Sequence, residues 1–436
     1  MKKTCSIAFA AISISIFLPA CCTTKNSQAD GNGAYATGHY RNLFAENGHS
    51  QKEIQEKIDS AFQQLFHGDP TNQAVFYDAG SNANGALAYI TDIKHHDVRT
   101  EGLSYGMIIA VELNKKKEFD ALWNWSKTYL YHSSPAHPSF GFFSWQAKTN
   151  GEVMSEFVAP DGESYYVMAL YFAANRWGSG SGIYNYKQQA GELLKDMRHR
   201  AVIKGQIFSS WRGTNRVQTV SAGPLFSEEH KMVLFSPSTE RPQFTDPSYH
   251  LPAFYELWAR WGPKADRQFW LDAAKASRDF FPRAANPVTG LCPDYANFDG
   301  TPVTNNWNRG AAHFGYDAFR VAGNWSVDWS WWAKDSRELE LSDKLQAFFE
   351  SQGMTNYGDQ FTLDGKPLDD NRHAQGLVAV NADASLAATD STRAKKFVEA
   401  LWNTPTPDGL ERYYEGLLYM MALLHCSGEF KIWPPQ

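Results

Sequence analysis

Three turns of the chain place carboxylates where a ligand could reach them. The first reads His96-Asp97-Val98-Arg99-Thr100-Glu101-Gly102-Leu103-Ser104-Tyr105-Gly106-Met107. Its two glycines allow close approach to the backbone, and an Arg and a Tyr crowd the carboxyl group whose acidity they would tune. The second, Val158-Ala159-Pro160-Asp161-Gly162-Glu163-Ser164, stands just ahead of the apolar run from Met168 to Trp177. The third, Phe314-Gly315-Tyr316-Asp317-Ala318-Phe319-Arg320, sets Asp317 three residues from Arg320. Taken singly, each has an ordinary explanation. Glu101 fits a first-turn acid favoured by the helix dipole, Asp161 a helix N-cap, and Asp317 with Arg320 an intrahelical ion pair.

Helices must carry these turns. Ile54, Ile58, Phe62, Leu65 and Phe66 recur at helical spacing before Gly68, a pattern that predicts an amphipathic helix with a glycine stop. Apolar segments closing on Gly178, Gly262 and Gly428 repeat it, each glycine fitting the left-handed position past a helix end. The first two are followed by second amphipathic segments, Tyr186 to Met197 and Arg267 to Phe281, so the unit is a helical hairpin. Hairpins of about 60 residues predict about six such units in one domain. Clear alternating runs are few; Ala201 to Phe208 is the best candidate for a short strand in a loop. Periodicity leaves open whether the hairpins close into a ring or form an open solenoid.

Composition excludes several classes. The 436 residues are 43% hydrophobic and 20% charged, enough apolar material for a packed core and too little charge for a disordered chain. The formal charge of −6 and the lack of a basic cluster argue against nucleic acid. GxGxxG and GxxxxGKS strings are absent, so a nucleotide site is not expected. No His/Asp/Glu spacing demands a metal, since His95-His96-Asp97 is too compact and lacks a further ligand, and no cofactor is expected. Fifteen tryptophans are the anomaly, and an indole serves either as core or as a stacking surface.

Together, Thr100-Glu101-Gly102-Leu103-Ser104-Tyr105-Gly106-Met107, Ala159-Pro160-Asp161-Gly162-Glu163 and Tyr316-Asp317-Ala318-Phe319-Arg320 resemble the three acidic landmarks of glycoside hydrolase family 8. Phe119 to Trp125, Phe142 to Trp145 and Asp246-Pro247-Ser248-Tyr249-His250 also look familial, and the resemblance runs from about Tyr40 to Pro435. It implies an all-α fold, an (α/α)6 barrel of helical hairpins in a single catalytic domain with short strands in loops, and inverting hydrolysis of β-1,4-linked glycans. Carried over by motif, Glu101 matches the general acid and Asp317 the general base. Asp161 matches a carboxylate that binds the sugar at the cleavage point, with Arg320 beside the base, and Tyr249 matches a tyrosine that orients the attacking water. Glu163 reads as structural.

Within the family, Asp246 to Tyr255 and Asn324 to Trp332 look closest to the reducing-end xylose-releasing exo-oligoxylanases. Their cleft is closed by a loop histidine, whose place falls to His373 here, flanked by Arg372 and Ala374 where the relatives have Leu and Pro. The expected substrate is therefore a β-1,4-xylo-oligosaccharide shortened from its reducing end. An endo-acting xylanase or another β-1,4-glycanase of the family is the alternative, and a surface lipoprotein that binds glycans without cutting them is a third reading. Trp125 and Trp145 are the candidates for stacking on sugar rings, while in the cluster Trp325, Trp329, Trp331 and Trp332 spacings of four and three place several on one helical face, which reads as core packing.

The first 20 residues read as a signal. Lys2 and Lys3 precede an apolar run from Ile7 to Leu18, too short to span a bilayer comfortably. Leu18-Pro19-Ala20-Cys21 resembles a lipoprotein signal, with Cys21 as the lipidated residue of a bacterial periplasmic or cell-surface protein. Residues 21–47 then read as a flexible tether and 48–436 as the catalytic domain, touching membrane only through the anchor and expected to be monomeric. Cys292 and Cys426 read as buried inert thiols.

Overall fold

The computed structural model describes Met1 and residues 32–435, except 212, 241, 369 and 370. The signal and Cys21 lie outside the described residues. In chain order the α-helices are α1 (Ala34–Thr37), α2 (Leu43–Glu46), α3 (Gln51–His67), α4 (Thr100–Glu112), α5 (Lys116–Tyr129), α6 (Pro160–Trp177), α7 (Tyr186–His199), α8 (Pro252–Trp261), α9 (Arg267–Ala284), α10 (Phe319–Trp332), α11 (Arg337–Ser351), α12 (Gln375–Asp383), α13 (Ser391–Asn403) and α14 (Arg412–Ser427). The strands are β1 (Phe76–Asn82), β2 (Gly85–Asp92), β3 (Asp97–Arg99), β4 (Gln146–Ala147), β5 (Val153–Ser155), β6 (Ile203–Trp211) and β7 (Thr214–Ala222).

The longer helices sort into two layers by composition. Nearly every residue of α4, α6, α8, α10, α12 and α14 is buried, as expected of helices enclosed on all sides. The outer partners α3, α5, α7, α9 and α13 bury a single stripe, such as Ile54, Ile58, Phe62 and Leu65 on α3. Each inner helix packs on an outer one: α4 on α5, α6 on α7, α8 on α9, α10 on α11, α12 on α13 and α14 on α3. Around the inner layer α4 touches α6, α8 touches α10, α10 touches α12, α12 touches α14, and α14 returns to α4. Tyr165 of α6 meets Phe254 of α8 edge-on at 5.2 Å. Buried Arg278 of α9 pairs with Asp328 of α10 at 2.6 Å and Glu256 of α8 at 2.8 Å, fastening the two layers.

Helix ends fall where the sequence puts them, but only one of the three closing glycines takes the expected left-handed conformation; Gly178 pairs a φ of 77° with an extended ψ of 166°. Ser50 and Glu53 form a capping box that starts α3. Gly428 takes the left-handed conformation expected past α14, with φ of 73°. Gly262 does not, having φ of −76°; a Cβ there would lie 2.7 Å from a Leu194 methyl carbon and from the Trp258 carbonyl. Close packing, not backbone handedness, selects that glycine.

Two expectations are corrected. The fold is not all-α: seven strands run antiparallel in the order β1 to β7, and β6 and β7 form a hairpin of nine residues a side, paired from Ile203 with Ala222 to Trp211 with Thr214. Much of β1 and β7 faces solvent on both sides, so the sequence lacks the alternation that marks a half-buried strand. Residues 33–47 are not a loose tether either. Leu43 and Phe44 are buried, Tyr35 stacks on Trp332 at 4.4 Å, and the Tyr40 hydroxyl accepts from the Ile432 N–H at 2.9 Å. Cys292 and Cys426 are free and buried, as read.

Burying Leu43 and Phe44 is worth about 4 kcal/mol at an upper estimate. A chain beginning at Gly48 should therefore unfold at clearly lower urea concentration than one beginning at Gly33; equal midpoints would contradict the docking of this segment.

Candidate active site

The inner helices point their N-termini at one end of the molecule, and the acidic turns meet there. Glu101 lies in the first turn of α4, Asp161 in the first turn of α6 behind Pro160, and Tyr413 in the first turn of α14. Asp317 immediately precedes α10, whose second residue is Arg320, and Tyr249 ends a short 3-10 turn leading into α8. Helix N-termini carry partial positive charge, which favours anionic side chains here. Asp161 is not the N-cap of α6. Ala159 holds that position, and the Asp161 Oδ1 accepts instead from the Gly162 N–H at 2.8 Å.

One guanidinium ties the set together. Arg320 Nη1 donates to Glu101 Oε2 at 3.1 Å, Asp161 Oδ2 at 2.8 Å and the Tyr105 hydroxyl at 3.0 Å, while Nη2 donates to Asp317 Oδ1 at 2.8 Å. The arginine side chain is 4% exposed, so these are charge-assisted bonds in a poorly solvated place. The fork keeps the bonded oxygens of Glu101 and Asp317 within about 8 Å of each other, a spacing that can admit a water and a sugar ring between two carboxyl groups. The Tyr413 hydroxyl donates to the other Glu101 oxygen at 3.0 Å. Gly102 makes room for that ring, since a Cβ would lie 2.5 Å from Tyr413.

The electrostatics differentiate the carboxyls. Burial pushes Glu101 up to about 7; Arg320 pulls it down and Asp161 pushes it up again. A carboxylic acid that keeps its proton near neutral pH is what a general acid requires. Burial also raises Asp317, but Arg320 opposes the rise, the Tyr295 hydroxyl bonds to the charged form, and the side chain is 29% exposed. Behind it sit two further carboxyls, Asp246, for which the motifs imply no catalytic part, and Asp294, which falls in none of them. Burial and the neighbouring Asp317 raise both well above the usual carboxylate range. Asp294 accepts from the Ala318 N–H at 3.1 Å and so holds the turn that presents Asp317. Glu163 is buried, raised by burial, and accepts from the Phe143 N–H at 2.9 Å, in keeping with a structural role.

The remaining candidates divide. Tyr249 is buried beside the cluster, with the Arg320 guanidinium 5.8 Å from its ring centroid. Trp145 is half-buried; its carbonyl accepts from the Thr100 N–H at 3.0 Å, and Arg99 lies over its ring at 5.8 Å. Trp125 is a correction. It is 1% exposed and packed between Tyr89 and Tyr129, with no face for a sugar. His373 lies on a segment pinned by Arg372, which pairs with Glu415 and with Asp359 at 3.3 Å, and its Nδ1 donates to the Tyr357 carbonyl at 2.8 Å. Trp325, Trp331 and Trp332 are buried as expected. Tyr105, Tyr413 and Tyr295 were missed; of these, only Tyr105 stood in a motif already singled out.

In the connection between α5 and α6, His132, His137 and Glu156 bring ligating atoms within 4.8 Å of one another. The His137 Nδ1 accepts from the Ser139 N–H at 3.0 Å, which puts its proton on Nε2, facing Glu156 Oε2 at 3.5 Å. In that neutral tautomer neither nitrogen of His137 has a lone pair left to offer a metal.

The sequence profile of the glycosyl hydrolases family 8 matches residues 83–428. A reducing-end xylose-releasing exo-oligoxylanase, Rex8A of Paenibacillus barcinonensis, is 40% identical over 92% of this chain and 99% of its own. Another from Halalkalibacterium halodurans is 41% identical over 93% of this chain and 97% of its own. A Teredinibacter turnerae GH8 protein solved with xylobiose is 54% identical, with a TM-score of 0.88 over 92% of this chain and 100% of that one.

The raised Glu101 links folding to pH. Its ordinary value is 4.5 and its folded value about 7, so the folded state holds the proton longer and Glu101 costs stability as pH rises through this window. Glu101→Gln removes that cost. The variant should match wild type in unfolding free energy near pH 4 and exceed it near pH 8, by about 3 kcal/mol. A difference independent of pH would show that Glu101 titrates normally.

Proposed function

Because the chain belongs to glycosyl hydrolase family 8, we propose that this glycoside hydrolase cleaves β-1,4-xylo-oligosaccharides with inversion and releases xylose from the reducing end. The observation that carries the chemistry is the Arg320 fork between Glu101 and Asp317. The identity to two exo-oligoxylanases across nearly the whole chain supports the substrate. In this reading the helices form a closed (α/α)6 double ring, supported by the return contact of α14 on α4.

Glu101 gives its proton to the glycosidic oxygen as the bond to C1 breaks. Asp317 takes a proton from the water that attacks C1 on the opposite face, so the oxygen at C1 changes from β to α. Asp161 binds the sugar whose C1 reacts, and Tyr249 orients the water, which lowers the entropic part of the barrier. Arg320 stabilises the ionised Asp317 and fixes the spacing of the two catalytic carboxyls. Trp145 lines the cleft beside Arg99.

A second reading, endo-acting xylanase, is favoured by two observations. A catalytic-mutant xylanase from Teredinibacter turnerae, solved with xylohexaose, is 53% identical over 92% of this chain and 100% of that one, with a TM-score of 0.88. His373 is also tied to the Tyr357 carbonyl, between residues that differ from those flanking the loop histidine of exo-acting relatives. Xylohexaose with its terminal sugar reduced to the alditol separates the two. An enzyme that reads the reducing end leaves it intact, whereas an endo enzyme cuts it internally.

We also propose lipidation at Cys21 and a periplasmic or surface location, on the strength of Leu18-Pro19-Ala20-Cys21 alone. Labelled palmitate should enter the wild-type protein and not Cys21→Ser; equal labelling would remove the anchor.

Glu101→Gln and Asp317→Asn should each lower turnover of xylotriose by about 10³-fold with helical content unchanged. Proton NMR of the first product should show the α anomer before mutarotation, and kcat/KM should fall as pH rises through about 7, where Glu101 loses its proton. Near-wild-type turnover in either variant, or an initial β anomer, would refute the assignment.

A further inference from the structure

The aromatic side chains behind Asp317 continue to the protein surface. The Tyr249 ring lies parallel to Phe235, with centroids 5.9 Å apart and planes within 5°. Phe235 in turn meets Phe244 at 4.8 Å and Tyr295 at 4.6 Å. Tyr295 is the residue whose hydroxyl bonds to Asp317, so this row begins at the catalytic carboxyl. It ends at Trp307, 5.4 Å from Phe235 and 5.3 Å from Tyr295.

Trp307 is 55% exposed, although its neighbours in the row are buried or half-buried. A tryptophan left this open forgoes roughly half of the 1.5–3 kcal/mol that burying a large apolar side chain supplies. Its position is nonetheless held. The Asn305 Oδ1 accepts from the Trp307 N–H at 3.2 Å and from the Asn308 N–H at 2.6 Å, and this turn presents the indole against the fixed rings of Phe235 and Tyr295. A flat apolar surface on a rigid backing, continuous with the reacting carboxyl, matches the C–H face of a pyranose ring. A xylosyl unit has no exocyclic carbon to prevent close stacking.

We infer that Trp307, backed by Phe235 and Tyr295, stacks on a xylosyl ring in a subsite on the Asp317 side of the cleft, beyond the two units that flank the scissile bond. The inference rests on the xylo-oligosaccharide reading and adds to it the residue that gives long chains their affinity. It also relocates the sugar-stacking role expected of Trp125.

The test measures binding by calorimetry in the inactive Glu101→Gln enzyme, with and without Trp307→Ala or Trp307→Phe, using xylohexaose and xylobiose. Trp307→Ala should weaken xylohexaose about tenfold and xylobiose less than twofold, and Trp307→Phe should recover most of the loss. Unchanged affinity for xylohexaose, or an equal loss for both lengths, would overturn the subsite. If wild-type enzyme fails to cut xylohexaose at all, the substrate reading falls first and the subsite with it.

Discussion

A single buried cation shared by three carboxyl groups is the constraint on which the rest of the site depends. Arg320 cannot fully balance Glu101, Asp161 and Asp317 together, and water is too scarce there to screen the excess charge. The least costly arrangement leaves one carboxyl protonated. Asp161 takes a short bond from Arg320 and a second from the Gly162 N–H, and Asp317 has its own Arg320 nitrogen, the Tyr295 hydroxyl and partial exposure. Glu101 has the longest of the three arginine bonds. Burial keeps the proton on Glu101 to about 7, and its weaker hold on Arg320 does less to oppose that.

Holding that arrangement is the task of the helices. Six of the groups involved sit in or just before the first turns of α4, α6, α8, α10 and α14, so the packing of the inner layer sets their spacing. The glycines in these turns are where neighbouring elements come closest: Gly102 admits Tyr413, and a Cβ on Gly162 would lie 2.5 Å from the Thr100 hydroxyl oxygen. A displaced helix would move one carboxyl relative to the others, and the shared guanidinium could then satisfy fewer of them.

The acidic turns were legible because helix starts with glycine and proline have a strong local signature. What the sequence hid was non-local or weakly patterned. The strands β1 and β7 face solvent along much of their length, and β2 is buried over most of its residues, so none of the three shows a clean alternation. Missing β2 caused the error at Trp125, because the surface that covers this indole is Tyr89 of that strand. Residues 33–47 were read as a tether since their anchors, Tyr35, Tyr40, Leu43 and Phe44, have no helical or strand period. Each is held by a distant partner instead, as Tyr40 is by Ile432. Tyr413 and Tyr295 lie far from the acidic turns in sequence and meet them only through the fold.

The central claim is that a carboxyl group in this cluster keeps its proton to near-neutral pH and that it is Glu101. Carbon-13 NMR titration of enzyme labelled at glutamate carboxyls, with Glu101 assigned by its loss in Glu101→Gln, tests it most directly. The account predicts a midpoint for Glu101 near 7; a midpoint near the ordinary value of 4.5 would contradict it.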